Sequence, residues 1–375
     1  MTTCFSLRRW LPFGLPLFLI ACGSALESQV VDSSDAQLRT AASQPLRGDY
    51  MHHAAAKAFI KRMAKEEDFD PAALRRILAQ VERQPWILRF VNRPKRQKKT
   101  GPTGAWTRYR AKFLTNGNIA NGVRFWQRYA KALQRAEQRY GVPPEYVIAI
   151  LGVETRYGRV LGKHRVIDAL ATLAFDYPRR SEFFTDELAA FLVMAREEGM
   201  DPLAPKGSYA GAMGYGQFMP SSFHRWAVDF DGNGRRDLWN PIDAIGSVAN
   251  YFAAHGWQKD EPVALPAKVQ GAGVKALKTG YDTSYSLEDL QRRGIQPSQP
   301  LAISEGIRLI RLDAVSGYEY WLGLNNFYVI TRYNHSSYYA MAVHQLAQRI
   351  RKRHQQGLSN SYLSKRISSS LGQAL

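Results

Sequence analysis

Ile148-Ala149-Ile150-Leu151-Gly152-Val153-Glu154-Thr155-Arg156-Tyr157-Gly158 is the stretch from which the rest of this chain is read. Val147, Ile150 and Leu151 recur at helical spacing, and Glu154 takes the next slot of the same apolar stripe. Pro143-Pro144 suits the first turn of that helix, where a missing N–H costs nothing. A carboxyl on the apolar side of a helix is partly desolvated, which favours its protonated form and raises its pKa. Such a group holds a proton near neutral pH and can deliver it to a leaving oxygen, as a glycosidase acid does. From these residues alone a second reading stays open, in which Glu154 swings to solvent at the helix end beside Gly158.

Helical patterns extend on both sides. On the N-terminal side they begin near Tyr50 and run through Phe59, Met63, Ala73, Ile77 and Val81. Trp106 to Tyr140 reads as helical, with Phe125, Tyr129, Leu133 and Ala136 on one stripe. Further helices are expected over 166–175, 181–198 and 241–255. After Trp257 the chain turns rich in Pro, Gly, Lys and Gln, and Ile307 to Leu312 alternates with period two. Tyr318 to Arg332 reads as two more short strands around Leu324-Asn325-Asn326, and Tyr338 to Arg351 is helical again. The fold class is therefore mainly α (α+β), with additional N-terminal helices and a small inserted β subdomain.

Three segments bear on chemistry. Lys206 to Ser221 joins small residues, which let backbone approach a ligand, to the faces of Tyr215 and Phe218 and the amide of Gln217. An extended sugar chain needs that mixture; a tight loop whose glycines only serve turns is the other reading. Thr331 to Tyr339 holds three tyrosines, with Asn334 or Ser336 available as a helix cap. Asp229, Asp231 and Asn233 fall at the first, third and fifth places of an EF-hand calcium loop, with Gly234 sixth and Arg235 at the carbonyl-donating seventh. The twelfth place is Asn240 instead of glutamate, so Asp243 would close a longer loop, unless the segment is an Asx-rich turn that binds nothing. No His-Glu-x-x-His, Gly-x-Ser-x-Gly or phosphate loop occurs, which disfavours zinc peptidase, serine hydrolase and nucleotide chemistry.

The N-terminus reads as a lipoprotein signal. Arg8 and Arg9 flank an apolar run from Trp10 to Ala21, too short to span a bilayer comfortably, and Leu19-Ile20-Ala21-Cys22 is similar to a lipobox. Cleavage before Cys22 and lipidation of its thiol are expected, with Gly23-Ser24 favouring the outer membrane; an ordinary secretory signal or an uncleaved anchor is the alternative. Cys4 lies inside the signal, so no disulfide or thiolate site remains for the mature monomer. The formal charge of +19 suits a polyanionic partner. Outside the cytoplasm that partner is cell-wall glycan with acidic peptide stems, not nucleic acid. The run Arg93-Pro94-Lys95-Arg96-Gln97-Lys98-Lys99 reads as a solvated loop.

Taken together, Gly152 to Gly158, Gly211 to Ser221, Asn240 to Tyr251 and Tyr333-Asn334-His335-Ser336 closely resemble the membrane-bound lytic murein transglycosylase B family (lytic transglycosylase family 3), from about Gly104 to Leu346. The resemblance implies a lysozyme-like helical core. It implies Glu154 as the single catalytic acid/base, and Ser208, Tyr215, Gln217, Phe218, Met219, Tyr251, Tyr333, Asn334 and Tyr339 as the residues that hold glycan. It also implies a structural Ca2+ held by Asp229, Asp231, Asn233, Arg235 and Asp243, with no cofactor for the chemistry. The expected plan is a signal over 1–21, a polar tether over 22–48, a helical catalytic region over 49–257, a β subdomain over 258–332, a returning core helix over 333–352 and a disordered tail over 353–375. The implied reaction cleaves the β-1,4 bond between N-acetylmuramic acid and N-acetylglucosamine in peptidoglycan and leaves a 1,6-anhydro end. A hydrolytic muramidase and a noncatalytic wall-binding lipoprotein are the alternatives. Asp168, Asp176 and Glu182 are the carboxylates that sequence leaves available for hydrolysis.

Overall fold

The computed structural model describes residues 48–94 and 102–372, with side chains through residue 359. The signal, Cys22, nearly all of the tether and most of the basic run lie outside the described residues.

The helix Pro144–Thr155 is the axis of the core. Pro144 through Gly152 are all buried, so it is covered on every side, as an apolar helix of a large core must be. The last helix, Ser337–Gly372, lies along it, and the helices Asn116–Arg128, Ala130–Tyr140 and Pro241–Ala254 complete the surround. Val166–Asp176 and Ser181–Glu197 pack as a pair, with the short helix Pro220–Trp226 against the second. Two earlier helices, Ala54–Glu66 and Pro71–Leu78, precede this body; the second starts where Asp70 accepts the N–H groups of Ala72 and Ala73.

Two small sheets interrupt the helices. Strands β1 (His164–Arg165) and β2 (Lys206–Gly207) pair antiparallel. Strands β3 (Ala264–Val269), β4 (Ile295–Pro297), β5 (Arg308–Ala314) and β6 (Gly317–Gly323) form an antiparallel sheet in the order β4-β3-β6-β5. That sheet has a core of its own, built from Leu290, Ile295, Ile307, Leu309, Leu322 and Leu324.

Three expectations change. The single helical stretch over Trp106–Tyr140 is three helices, Ala105–Arg110, Asn116–Arg128 and Ala130–Tyr140, because Thr115 caps a new start by accepting the Asn118 N–H. Only Gly317–Gly323 of the Tyr318–Arg332 stretch is a strand; Asn325–Tyr333 is a helix that buries Phe327, Val329 and Ile330. Asn326 fixes its start, accepting the Gln258 N–H and donating to the carbonyls of Gln258 and Glu261. The returning helix also does not stop at 352. It continues to Gly372, carried past the core stripe of Val343, Leu346, Ala347 and Ile350 by His354, whose ring packs 4.3 Å from that of Trp126.

Candidate active site

Glu154 stands one residue before the end of its helix, and the chain then turns away through three left-handed residues, Arg156 (φ 51°), Tyr157 (φ 62°) and Gly158 (φ 83°). Side-chain-bearing residues rarely adopt that conformation, so the turn has to be held from outside. Thr155 Oγ1 accepts the Gly158 N–H and donates to the Tyr215 carbonyl, both at 3.0 Å. The Tyr157 N–H donates to Leu151 O at 3.0 Å, and its hydroxyl reaches Asn118 O at 3.0 Å. Gly152 and Gly158 make room for this. A Cβ on Gly152 would lie 2.6 Å from the Tyr157 hydroxyl oxygen, and one on Gly158 would lie 2.2 Å from the Tyr215 ring. The motif around Glu154 is thus a clamp that fixes where its carboxyl points.

The carboxyl meets the other motifs across the fold. Tyr339 donates its hydroxyl to Glu154 Oε1 at 2.5 Å. The Tyr333 ring lies nearly parallel to that of Tyr339, centroids 6.5 Å apart, and its hydroxyl donates to Gly216 O at 2.5 Å. Phe218 and Tyr251 pack edge-on or tilted against Tyr333 at 5.8 and 4.8 Å, and Tyr251 donates to Arg332 O at 2.7 Å. Glu154 keeps part of its surface open, yet its carboxyl is walled by these rings, and burial pushes its pKa up to about 7. The Tyr339 hydrogen bond pulls the other way. Burial and the Glu154 charge hold the Tyr339 hydroxyl well above its ordinary range, so it remains a donor.

The remaining residues expected to hold glycan are distributed more widely. Gln217 takes a left-handed conformation (φ 52°), and its side-chain amide donates to Gly214 O and Leu161 O. Ser208 Oγ accepts the N–H groups of Ala210 and Ala212, so it braces its own loop. The Tyr215 ring covers Gly158, and Met219 is the residue before the helix Pro220–Trp226. Asn334 is exposed and ends the helix Asn325–Tyr333, while Ser336, not Asn334, caps the last helix by accepting the Tyr339 N–H. Tyr109 was missed from sequence; burial raises its pKa and the nearby Glu154 charge adds to the rise, which puts it beside the same site. Nothing in its local spacing marks it, since only the folded chain brings it there.

Among the described residues, burial and the Tyr339 hydrogen bond set the Glu154 pKa, and no carboxylate contributes to it. Asp168 is bound to Arg165 at 2.7 Å and accepts the Glu82 N–H, and Asp176 is paired with Arg83 at 2.9 Å. Both are committed to the packing of the N-terminal helices.

The loop after Val228 gathers Asp229, Asp231 and Asp243, one carboxylate oxygen of each lying within 4.8 Å of the others. Asp243 is fully buried and accepts the N–H groups of Phe230, Asp231 and Asp237. Asp229 accepts those of Gly232, Asn233 and Gly234, which hold its carboxyl below the usual range. The Arg235 side chain turns away to Glu198 O, leaving its carbonyl to the loop. Among the described residues no cationic side chain pairs with the three acids. Converging oxygen donors with uncompensated negative charge fit a hard divalent cation.

A mainly helical core that sets one acid among aromatic rings is the arrangement of a lysozyme-like enzyme. The chain belongs to the family described as Transglycosylase SLT domain, which it matches over residues 51–348. It is 54% identical over 307 residues to membrane-bound lytic murein transglycosylase B of Escherichia coli (strain K12), covering 81% of this chain and 84% of that protein. An Escherichia coli lytic transglycosylase solved in complex with calcium superposes with a TM-score of 0.78 at 52% identity, over 83% of this chain and 96% of that one. A Pseudomonas aeruginosa relative, solved in complex with NAG-anhNAM-pentapeptide, gives a TM-score of 0.69 at 32% identity, over 79% of this chain and 78% of that one.

Proposed function

We propose that this enzyme is a lytic transglycosylase, cleaving the β-1,4 bond between N-acetylmuramic acid and N-acetylglucosamine and closing a 1,6-anhydro ring. The observation that carries the reading is the solitary Glu154 carboxyl, with a pKa near 7 and a tyrosine donor at 2.5 Å. Protonated Glu154 gives its proton to the bridging oxygen as the bond to C1 breaks. The substrate's own N-acetyl carbonyl stabilises the charge at C1, a route that needs no second carboxylate. Anionic Glu154 then takes the proton of the C6 hydroxyl, whose oxygen bonds to C1. Held in the same sugar, that hydroxyl has the advantage of proximity over water. The muramic-anhydro product held by the Pseudomonas relative is the end this route leaves.

Tyr215, Phe218, Tyr251, Tyr333 and Tyr339 would supply faces for the sugar rings, and Ser208, Gln217, Met219 and Asn334 would line the remainder of the groove. A calcium ion held by Asp229, Asp231, Asn233 and Asp243 and the Arg235 carbonyl would tie the loop to the helix Pro241–Ala254. Bound there, it would supply charge neutralisation to that loop. Lipidated Cys22 would tether the enzyme to the outer membrane, facing the wall.

Digestion of purified sacculi by the chain lacking residues 1–21, with products weighed by mass spectrometry, tests the reaction. Anhydromuramic ends, one water lighter than reducing ends, are expected and should vanish with Glu154→Gln. Reducing ends alone would establish hydrolysis, and binding without any soluble product would establish a wall-binding protein.

A further inference from the structure

Two arginines beside the groove have no acid to answer them. Arg332 directly precedes Tyr333, and Arg308 opens β5. Both guanidinium groups lie over the ring of Tyr328, at 4.1 and 4.2 Å from its centroid, and Arg332 lies 5.5 Å from that of Tyr281. Together they donate hydrogen bonds only to neutral oxygens: Arg308 to Tyr281 O (3.0 Å) and Gly306 O (2.8 Å), Arg332 to Thr331 Oγ1 (3.0 Å). Arg332 Nε is buried with no acceptor among the described residues. Neither arginine has a carboxylate within ion-pair distance among those residues, whereas Arg110 and Arg236 are each paired with a glutamate. Burial holds Arg308 below its usual range, and the neighbouring Arg332 charge adds to that. Two guanidinium groups stacked on one ring, with no carboxylate partner among the described residues, form an arrangement that a planar anion relieves, since each presents the fork that a carboxylate fits.

The cluster is continuous with the site. Tyr281, whose carbonyl receives Arg308, donates its hydroxyl to His335 O at 3.1 Å, and Arg332 O receives Tyr251. A muramic acid in the groove carries its peptide with it, and carboxylates are that peptide's anionic groups.

We propose that Arg308 and Arg332 form a carboxylate-binding fork that engages the peptide stem of the glycan on which Glu154 acts. The inference rests on the transglycosylase reading. Its test compares peptide-bearing glycan chains with the same chains stripped of peptide by an amidase and then amidated at the lactyl carboxylate this exposes, scored by anhydro product. In Arg332→Gln and Arg308→Gln the preference in kcat/KM for peptide-bearing over stripped chains should fall about tenfold, through KM, as for loss of one charge-assisted pair. Arg332→Lys should recover only part of it, because the planar fork is gone. Equal losses on both substrates would assign the arginines to structure and overturn the proposal. So would a wild-type enzyme with no preference between the chains. If Arg332→Gln does not fold, Arg308→Gln carries the comparison, since Arg308 reaches the surface. Inorganic phosphate that raised the melting temperature of wild type but not of the double variant, with the preference unmoved, would assign the fork to a free anion and overturn the proposal. Wild type that left no anhydro ends on either substrate would defeat the transglycosylase reading instead, and unequal binding of the two chains by Glu154→Gln would still report on the fork.

Discussion

In the proposed mechanism Glu154 has to be two things in one turnover, an acid and then a base, and both roles depend on the balance between burial and Tyr339. Burial raises its pKa to about 7, while the Tyr339 hydroxyl stabilises the anion and pulls the value down. The first step needs the protonated form, so kcat/KM should fall as pH rises through about 7. Tyr339→Phe removes the donor and keeps the ring. The anion loses its partner, the pKa rises further, and the alkaline limb of the pH–rate profile should move to higher pH by roughly one unit, the worth of one hydrogen bond to a charge. Turnover should drop about tenfold or more at the optimum, because the carboxyl is no longer aimed. A limb that stays in place or moves to lower pH would show that Tyr339 does not set this balance.

At the scale of elements, the loop around Asp229 and the helix Pro241–Ala254 are joined above all through Asp243, which already binds three backbone N–H groups. Asp243 is therefore a structural hub with or without a cation, whereas Asp231 bonds chiefly within its own loop and to Asn240. Calcium should raise the melting temperature of the wild type and a chelator should reverse the rise, in proportion to RT ln(1 + [L]/Kd). Asp231→Ala should abolish that response while leaving the chelated melting temperature almost unchanged. Asp243→Ala should lower it in both conditions, with a loss of stability of roughly 3 kcal/mol, as three buried donors lose their acceptor. A wild type indifferent to calcium and chelator would remove the ion from this loop. The same scale shows what sequence makes legible. Glu154 and the spacing of Asp229, Asp231 and Asn233 are local patterns, readable as a stripe and a ligand register. The Tyr339 contact joins residues 185 apart in the chain, and no periodicity encodes it. The helix Asn325–Tyr333 was misread because Phe327, Val329 and Tyr328 alternate no worse than strand residues until Asn326 is seen to cap the neighbouring loop. The Arg308–Arg332 fork is invisible for the same reason, a strand residue and a helix residue meeting over one ring.

For the whole molecule, charge and site are separable. The chain carries 51 basic against 32 acidic residues, a formal +19, while Glu154 sits among aromatic rings with its pKa raised to about 7. Peptidoglycan presents carboxylates at every stem, so long-range attraction to the wall belongs to the surface and bond cleavage to the groove. Salt discriminates between the two, because attraction between exposed charges is screened beyond about 8 Å at physiological ionic strength and beyond about 3 Å at 1 M. Binding of Glu154→Gln protein to sacculi should therefore weaken steeply between low salt and 0.5 M sodium chloride, by about tenfold or more. Cleavage of short peptide-free glycan chains, which keep only the lactyl carboxylate of each muramic acid, should change far less over the same range, by about twofold at most. Sacculus pull-down and product assays run across one salt series measure both. Parallel loss of the two would mean that salt acts on the groove or on the fold, and the basic surface would then have no separate part in reaching the wall.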